Sequence, residues 1–264
     1  MRLRLIIISL LMHFKMLLRR KIVLILLAGI PCLFIFMVHL TSSSKEVLFQ
    51  LGVASEKTFI RTPEINMALV FVTMATIGFL SSFLSLSLVQ QNKNVNRRLI
   101  VSGYHSSELI LSVTVVIILM IFLLVVYIGL IVLLFFQPMH TVNMMLGLFL
   151  TGLIYGGYGM MIASLVKGEL EGTLLVILLA NIDAGWLQNP LFFAEARNKL
   201  IIQALPAYSP SQVAIASAFT NVSIQPSLIN CVLYSIVFTG LAIMTSYYKM
   251  RINAANKIIS KIPK

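Results

Sequence analysis

Leu109 to Phe136 reads LILSVTVVIILMIFLLVVYIGLIVLLFF, 28 residues without one charge. A helix needs ~20 such residues to cross a bilayer. This stretch is therefore a membrane span, long enough that it must tilt or project beyond the hydrocarbon. Working outward, four more runs reach spanning length: Ile22 to Leu40, about Ile65 to Val89, Met144 to Val166 and Leu228 to Tyr248. A sixth, from Gly172 to about Leu187, is short, and Asn181 and Asp183 interrupt its later half. The expected fold is an all-α integral membrane protein with six transmembrane helices.

Composition agrees. Of the 264 residues, 59% are hydrophobic and only 11% charged, with a mean hydropathy of +0.99. A soluble domain carries roughly 25% charged residues, so no ordinary water-facing coat is available. Cys32 and Cys231 both sit in apolar runs, which excludes a secreted disulfide scaffold. The net charge of +12 invites a nucleic-acid reading, but no soluble segment is long enough to form a reading module. Anionic lipid at the cytoplasmic surface is the better match.

The distribution of that charge sets the orientation. Arg2, Arg4, Lys15, Arg19, Arg20 and Lys21 precede span one, and Lys93, Arg97 and Arg98 follow span two. With Lys167 and the tail, 15 cations fall on one side against five (Lys45, Lys57, Arg61, Arg197 and Lys199) on the other. Both termini are expected in the cytoplasm, at the plasma membrane. Residues 1–21 are not expected to be a cleaved leader, since no small-residue site follows and His13, Phe14 and Lys15 break the apolar run. Leu3, Ile6, Ile7, Leu10, Leu11, Phe14, Leu17 and Leu18 recur at helical spacing, with Arg4, Lys15 and Arg19 opposite. An amphipathic helix lying in the inner interface is predicted, ahead of a transmembrane domain over 22–264.

Enzyme chemistry finds no footing. His13, His39, His105 and His140 fall in four segments without metal-ligand spacing, and HExxH, GxSxG and GxxxxGK[ST] are absent. No metal or cofactor is expected on this chain. Gly152, Gly156, Gly157 and Gly159 read as small residues that let helices approach closely. Any uphill transport must draw its energy from a partner or an ion gradient.

Two connections are longer than a turn needs. The segment 90–107, QQNKNVNRRLIVSGYHSS, carries Val95, Leu99 and Ile100 at helical spacing and a Ser-Gly break. A short helix ending near Gly103 is predicted, with Ser106 and Ser107 capping span three and Glu108 in its first turn. The segment 188–226 contains two apolar stretches, Leu200 to Leu205 and Val213 to Phe219, around Pro206 and Pro210. Ser209-Pro210 reads as a turn and helix start, and the whole as a re-entrant or interfacial helical hairpin on the outer side. Between them, Asp183 is the strongest single residue. A carboxylate at mid-span costs at least ~2.5–3.5 kcal/mol and is seldom kept without a partner or a use. Asn181, Gln188, Arg197 and Lys199 are its candidate partners. Span two, with Ser81, Ser82, Ser85 and Ser87, is the most polar of the six.

Basic residues, a short apolar group, Ser-Gly, then Ser-Ser-Glu opening a long third span resemble the coupling-helix region of ABC-2 type exporter membrane subunits. The interfacial first helix, six spans and long outer segment resemble that family's layout as well. Asn94-Val95-Asn96 departs from it, standing where acidic residues often precede the coupling helix. The resemblance implies two membrane subunits, identical or related, each docking a separate cytoplasmic ATPase that holds ATP and Mg. It implies that Asn92, Lys93, Asn96, Arg97, Arg98, Leu99 and Ser102 couple to that ATPase. The pathway is expected along spans two and five, with Asn181, Ser81 and Ser85 in it and Pro206, Tyr208 and Pro210 at the outer gate that the resemblance implies; Asp183 either pins the outer hairpin through an ion pair or contacts the cargo. The expected cargo is a hydrophobic or amphipathic peptide, of the phenol-soluble-modulin or bacteriocin type, or a drug. A secondary transporter, or a non-transporting protein that sequesters a toxic peptide, are the alternatives.

Overall fold

The computed structural model describes residues 3–52 and 59–259. Arg2, Lys57, Lys261 and Lys264, which enter the charge asymmetry, lie outside the described residues. Helix α1 covers Leu3–Leu18, α2 Lys21–Thr41, α3 Glu64–Gln91, α4 Lys93–Val101, α5 Ser106–Phe135 and α6 Thr141–Leu165. Helix α7, Glu169–Ala180, runs directly into a π-helical segment, Asn181–Leu187. Three short helices follow, α8 Pro190–Glu195, α9 Lys199–Gln203 and α10 Tyr208–Phe219, before α11, Gln225–Ile259. Six helical stretches are long and apolar enough to cross a membrane: α2, α3, α5, α6, α7 with its π segment, and α11 up to Met250. The chain is a helical, multi-pass membrane protein.

The spans are not equivalent. About 67% of the apolar window of α3 and of α6 is buried, against 17% for α2 and α11, so α3 and α6 form the centre of the bundle. Their close approach depends on glycine. A Cβ at Gly159 of α6 would collide with the Ser82 backbone of α3, and one at Gly157 would stand 3.0 Å from the Phe238 backbone of α11. Small residues at such crossings replace the hydrophobic driving force that lipid removes.

Three expectations need correction. The fifth span is not short: it begins at Glu169, and Glu169 and Glu171 occupy its first turn, where the helix dipole favours them. Span three is capped by His105 rather than by Ser106 and Ser107, with Glu108 Oε2 accepting from the His105 backbone N–H at 3.3 Å. Between spans one and two stands an antiparallel β-ribbon that the sequence reading lacks, β1 (Glu46–Gln50) on β2 (Phe59–Pro63), with Phe49 buried.

Helix α1 also differs from its predicted faces. The side turned to the bundle is Ile6, Ser9, His13 and Leu17, while Ile7, Leu11 and Leu18 are exposed along with Arg4 and Lys15. Spacings of three and four put both sets on stripes of one helix, and burial selected the stripe containing two polar residues.

Bonds at the two ends define them. The basic end gathers α1, α4, the start of α5 and the α6–α7 turn, where Gln90 Nε2 donates to Gly168 O and Gln91 Nε2 to Glu169 Oε1. The late part of α11 reaches it too, where Lys249 Nζ donates to Leu165 O. The far end carries the β-ribbon and α8 to α10. Helix α10 is buried from Tyr208 to Ala218 and lies antiparallel to the first half of α6. His140 N donates to Ser217 O, and a Cβ at Gly147 would stand 2.9 Å from Ala214 N.

Candidate functional site

Asp183 is the most heavily bonded side chain of the far half. Tyr155 of α6 donates its hydroxyl to Asp183 Oδ2 at 2.5 Å, and the Ala207 backbone N–H donates to the same oxygen at 3.2 Å. Gln188 Nε2 donates to Oδ1 at 3.1 Å. Three donors and no acceptor form the complement of an ionised carboxylate.

Each donor has a local cause. In the π-helical segment, backbone bonding runs from residue i+5 to residue i. Gln188 N accordingly donates to Asp183 O, and the wider turn carries the Gln188 amide over the Asp183 carboxylate. The Tyr155 ring has room because Gly78 of α3 faces it, where a Cβ would stand 3.3 Å away. Ala207, at the N-terminal boundary of α10, has no side chain able to cap. Asp183 supplies the missing acceptor from another helix, at the end where the dipole favours an anion. Gln188 Oε1 then accepts from Ser211 Oγ of α10 at 3.4 Å. The cluster ties α6, α7 and α10 together.

Pro206 and Tyr208 flank the bonded Ala207 N–H. Pro210 lies in the first turn of α10, where a missing N–H costs nothing, rather than in a turn ahead of the helix. Tyr208 is buried against Phe193, and its hydroxyl leaves no room for a side chain at Gly52. Arg197 and Lys199 are not partners of Asp183; Lys199 Nζ donates instead to Gln50 Oε1 of the β-ribbon. Asn181 is exposed and bonds its own helix at Ile177 O. Ser81 and Ser85 are wholly buried against Gly152 and Gly156, with no hydrogen-bond partner for either hydroxyl among the described residues. They occupy the α3–α6 crossing and line no open groove within this chain.

At the basic end, α4 stands between α3 and α5. Only Asn92 separates it from α3, and a Schellman motif closes it: Tyr104 N donates to Leu99 O, Gly103 N to Ile100 O, and Gly103 takes φ +95°. That positive φ is why glycine sits there. Lys93, Arg97, Arg98 and Ser102 are exposed, together with Val101, while Leu99 is half-buried. Asn92 and Asn96 point inward. Arg61 pairs with Glu46 at the far end, and no ion pair found among the described residues involves the α4 cations.

Asn96 locks α4 to α1. Its side-chain amide lies 3.1 Å from His13 Nε2, and His13 Nδ1 lies 2.7 Å from Ser9 O. The ring thus bridges the Ser9 carbonyl on its own helix and the Asn96 side chain on α4, one through each nitrogen. Burial pushes His13 below its ordinary value, against the opposing pull of its bonds to Ser9 and Asn96. Ser9 Oγ also meets Ser112 Oγ of α5 at 2.8 Å. Sequence reasoning missed this cluster and Tyr155. The signal for the first was present, since Ser9 with His13 and Asn92 with Asn96 are both i, i+4 pairs.

No group of three or more His, Cys, Asp or Glu among the described residues is placed to hold a metal ion. No protein-family model matches the chain, and no curated protein matches it in sequence.

Proposed function

We propose that this chain is the membrane-spanning subunit of an ABC-2 type exporter. It sits in the plasma membrane with both termini cytoplasmic, pairs with a second identical or related subunit, and docks a separate ATPase that supplies ATP and Mg. The observation that carries the reading is α4: a cationic helix with an uncovered face of Lys93, Arg97, Arg98 and Val101, joined tightly to two spans and bonded to α1. A push on that face passes to α3 across one residue, to α5 across the Schellman turn and to α1 through His13. A surface loop that only anchored the chain would need none of these ties.

The remaining parts take roles around it. Helix α1 lies in the inner interface, its exposed Ile7, Leu11 and Leu18 in hydrocarbon and Arg4 and Lys15 at headgroups. Helices α9 and α10 form a re-entrant hairpin from the outside, with α10 as the gate that Asp183 holds against α6 and α7. The pathway runs along the exposed face of α7, where Leu174, Leu178 and Asn181 offer an apolar wall with one amide. That wall suits a hydrophobic or amphipathic peptide or drug.

Two experiments test this. Arg97→Glu with Arg98→Glu should insert at wild-type level yet lose ATP-driven export of a hydrophobic peptide from inverted vesicles; undiminished export removes the coupling role from α4. A cysteine at exposed Asn198 should label from outside intact cells, and one at Asn94 only after permeabilisation. The opposite pattern overturns the orientation.

A further inference from the structure

Helix α2 touches the bundle through a narrow line, Leu27, Pro31 and Ile35. Beside that line the packing leaves a crevice of about 160 Å³, walled by Leu24, Leu27 and Ala28 of α2, Leu84 of α3, and Met120 and Tyr127 of α5. Its one polar group, the Tyr127 hydroxyl, is engaged: it donates to Ala28 O at 2.9 Å and lies 3.0 Å from Cys32 Sγ. A water held there would need two or more polar partners, which these walls lack. Ala28 is exposed, so the crevice opens on the side of the bundle, where membrane hydrocarbon is the surrounding medium.

Charge lies one turn from the crevice along α2. Lys21 precedes Leu24 by three residues and Ala28 by seven, which puts all three on one face of α2. Arg20 adjoins it at the helix boundary, and Arg19 completes the run. Lys21 and Arg19 are exposed and Arg20 is half-buried. No ion pair found among the described residues involves these cations. An apolar slot one turn below a run of cations is complementary to a phosphate ester carrying a hydrocarbon chain. Guanidinium and ammonium groups are the usual phosphate partners.

We propose that this corner holds one anionic phospholipid, its phosphate on Arg20 and Lys21 and one acyl chain in the crevice. The site requires only that the chain spans a membrane, and it stands or falls separately from the exporter reading.

The test uses the full chain, purified in mild detergent and offered phosphatidylglycerol or phosphatidylcholine of the same chain length, with retained lipid counted by native mass spectrometry. The wild-type chain should keep one phosphatidylglycerol at least tenfold more persistently than phosphatidylcholine. R20Q with K21Q should abolish that preference. A28L, which fills the crevice from its exposed edge, should cut phosphatidylglycerol retention with all cations intact; L24W is the second plug if A28L elutes as aggregate. Equal retention of the two lipids by the wild type overturns the proposal, as does unchanged phosphatidylglycerol retention in the charge variant or in a folded plug. Selective displacement by a hydrophobic peptide with no preference between lipids would assign the crevice to cargo and overturn it as well.

Discussion

The two ends of the bundle solve opposite problems with similar materials. At the far end a carboxylate is buried and every oxygen is satisfied, by Tyr155, Gln188 and the Ala207 N–H, so the polar chemistry is spent on holding three helices together. At the basic end the buried polar groups, His13 and Asn96, also lock helices, but Lys93, Arg97 and Arg98 stay exposed, with no ion pair to them among the described residues. A satisfied buried group specifies structure; an exposed unsatisfied charge is free to meet a partner. On this account, damage at the far end should appear as lost fold, and damage to the α4 cations as a lost partner with the fold intact.

The largest effect should come from Asp183→Ala, which strips three donors of their acceptor and lowers stability by about 3 kcal/mol or more, read as a fall in the melting temperature in detergent. Tyr155→Phe should lose less. A wild-type melt for Asp183→Ala would mean the carboxylate does not pin α10. Next, Gly159→Leu forces side-chain atoms into the Ser82 backbone and should cost about 2 kcal/mol; tolerance of the leucine would contradict the close α3–α6 crossing. His13→Ala should cost roughly 1 kcal/mol and loosen α1 without unfolding the spans.

That last contact also carries a pH dependence. His13 is depressed below its ordinary value of 6.5, so the unfolded or detached helix binds the extra proton first. The α1–α4 contact is therefore complete above pH 6.5 and weakens as pH falls from there through the lower bound-state value. Hydrogen exchange of α1 amides, corrected for the intrinsic rate, should rise between pH 7.5 and 5.5 in the wild type and not in His13→Gln. An equal rise in both would show that His13 is not the sensor. The smallest effect on stability, within about 0.5 kcal/mol, belongs to Arg97→Glu with Arg98→Glu, although the same change should abolish partner binding.

What was legible in the sequence follows from which forces are local. The membrane spans were visible because twenty apolar residues in a row have few alternatives, and α4 because Gly103 and the spacing of Val95, Leu99 and Ile100 mark a short helix and its stop. The start of α7 was misjudged because Glu169 and Glu171 read as a loop until the helix dipole is credited with them. The β-ribbon escaped because five-residue strands carry almost no periodicity, and their pairing is settled by contacts across the turn. Asp183 was singled out by desolvation cost alone. Tyr155 and Ala207 were not found, since a phenol 28 residues away and a backbone N–H after Pro206 meet it only through tertiary packing. Ser81 and Ser85 looked like pathway residues because polarity is local information and the facing glycines are not.

The most direct measurement is purification of the chain from native membranes in gentle detergent, with the eluate assayed for ATP hydrolysis. The account predicts that an ATP-hydrolysing subunit without membrane spans co-purifies with the wild-type chain, and that Arg97→Glu with Arg98→Glu loses it while eluting as folded protein. A wild-type chain that elutes alone and inactive, or a charge-reversed chain that keeps its ATPase, would contradict the assignment of α4 as the docking element.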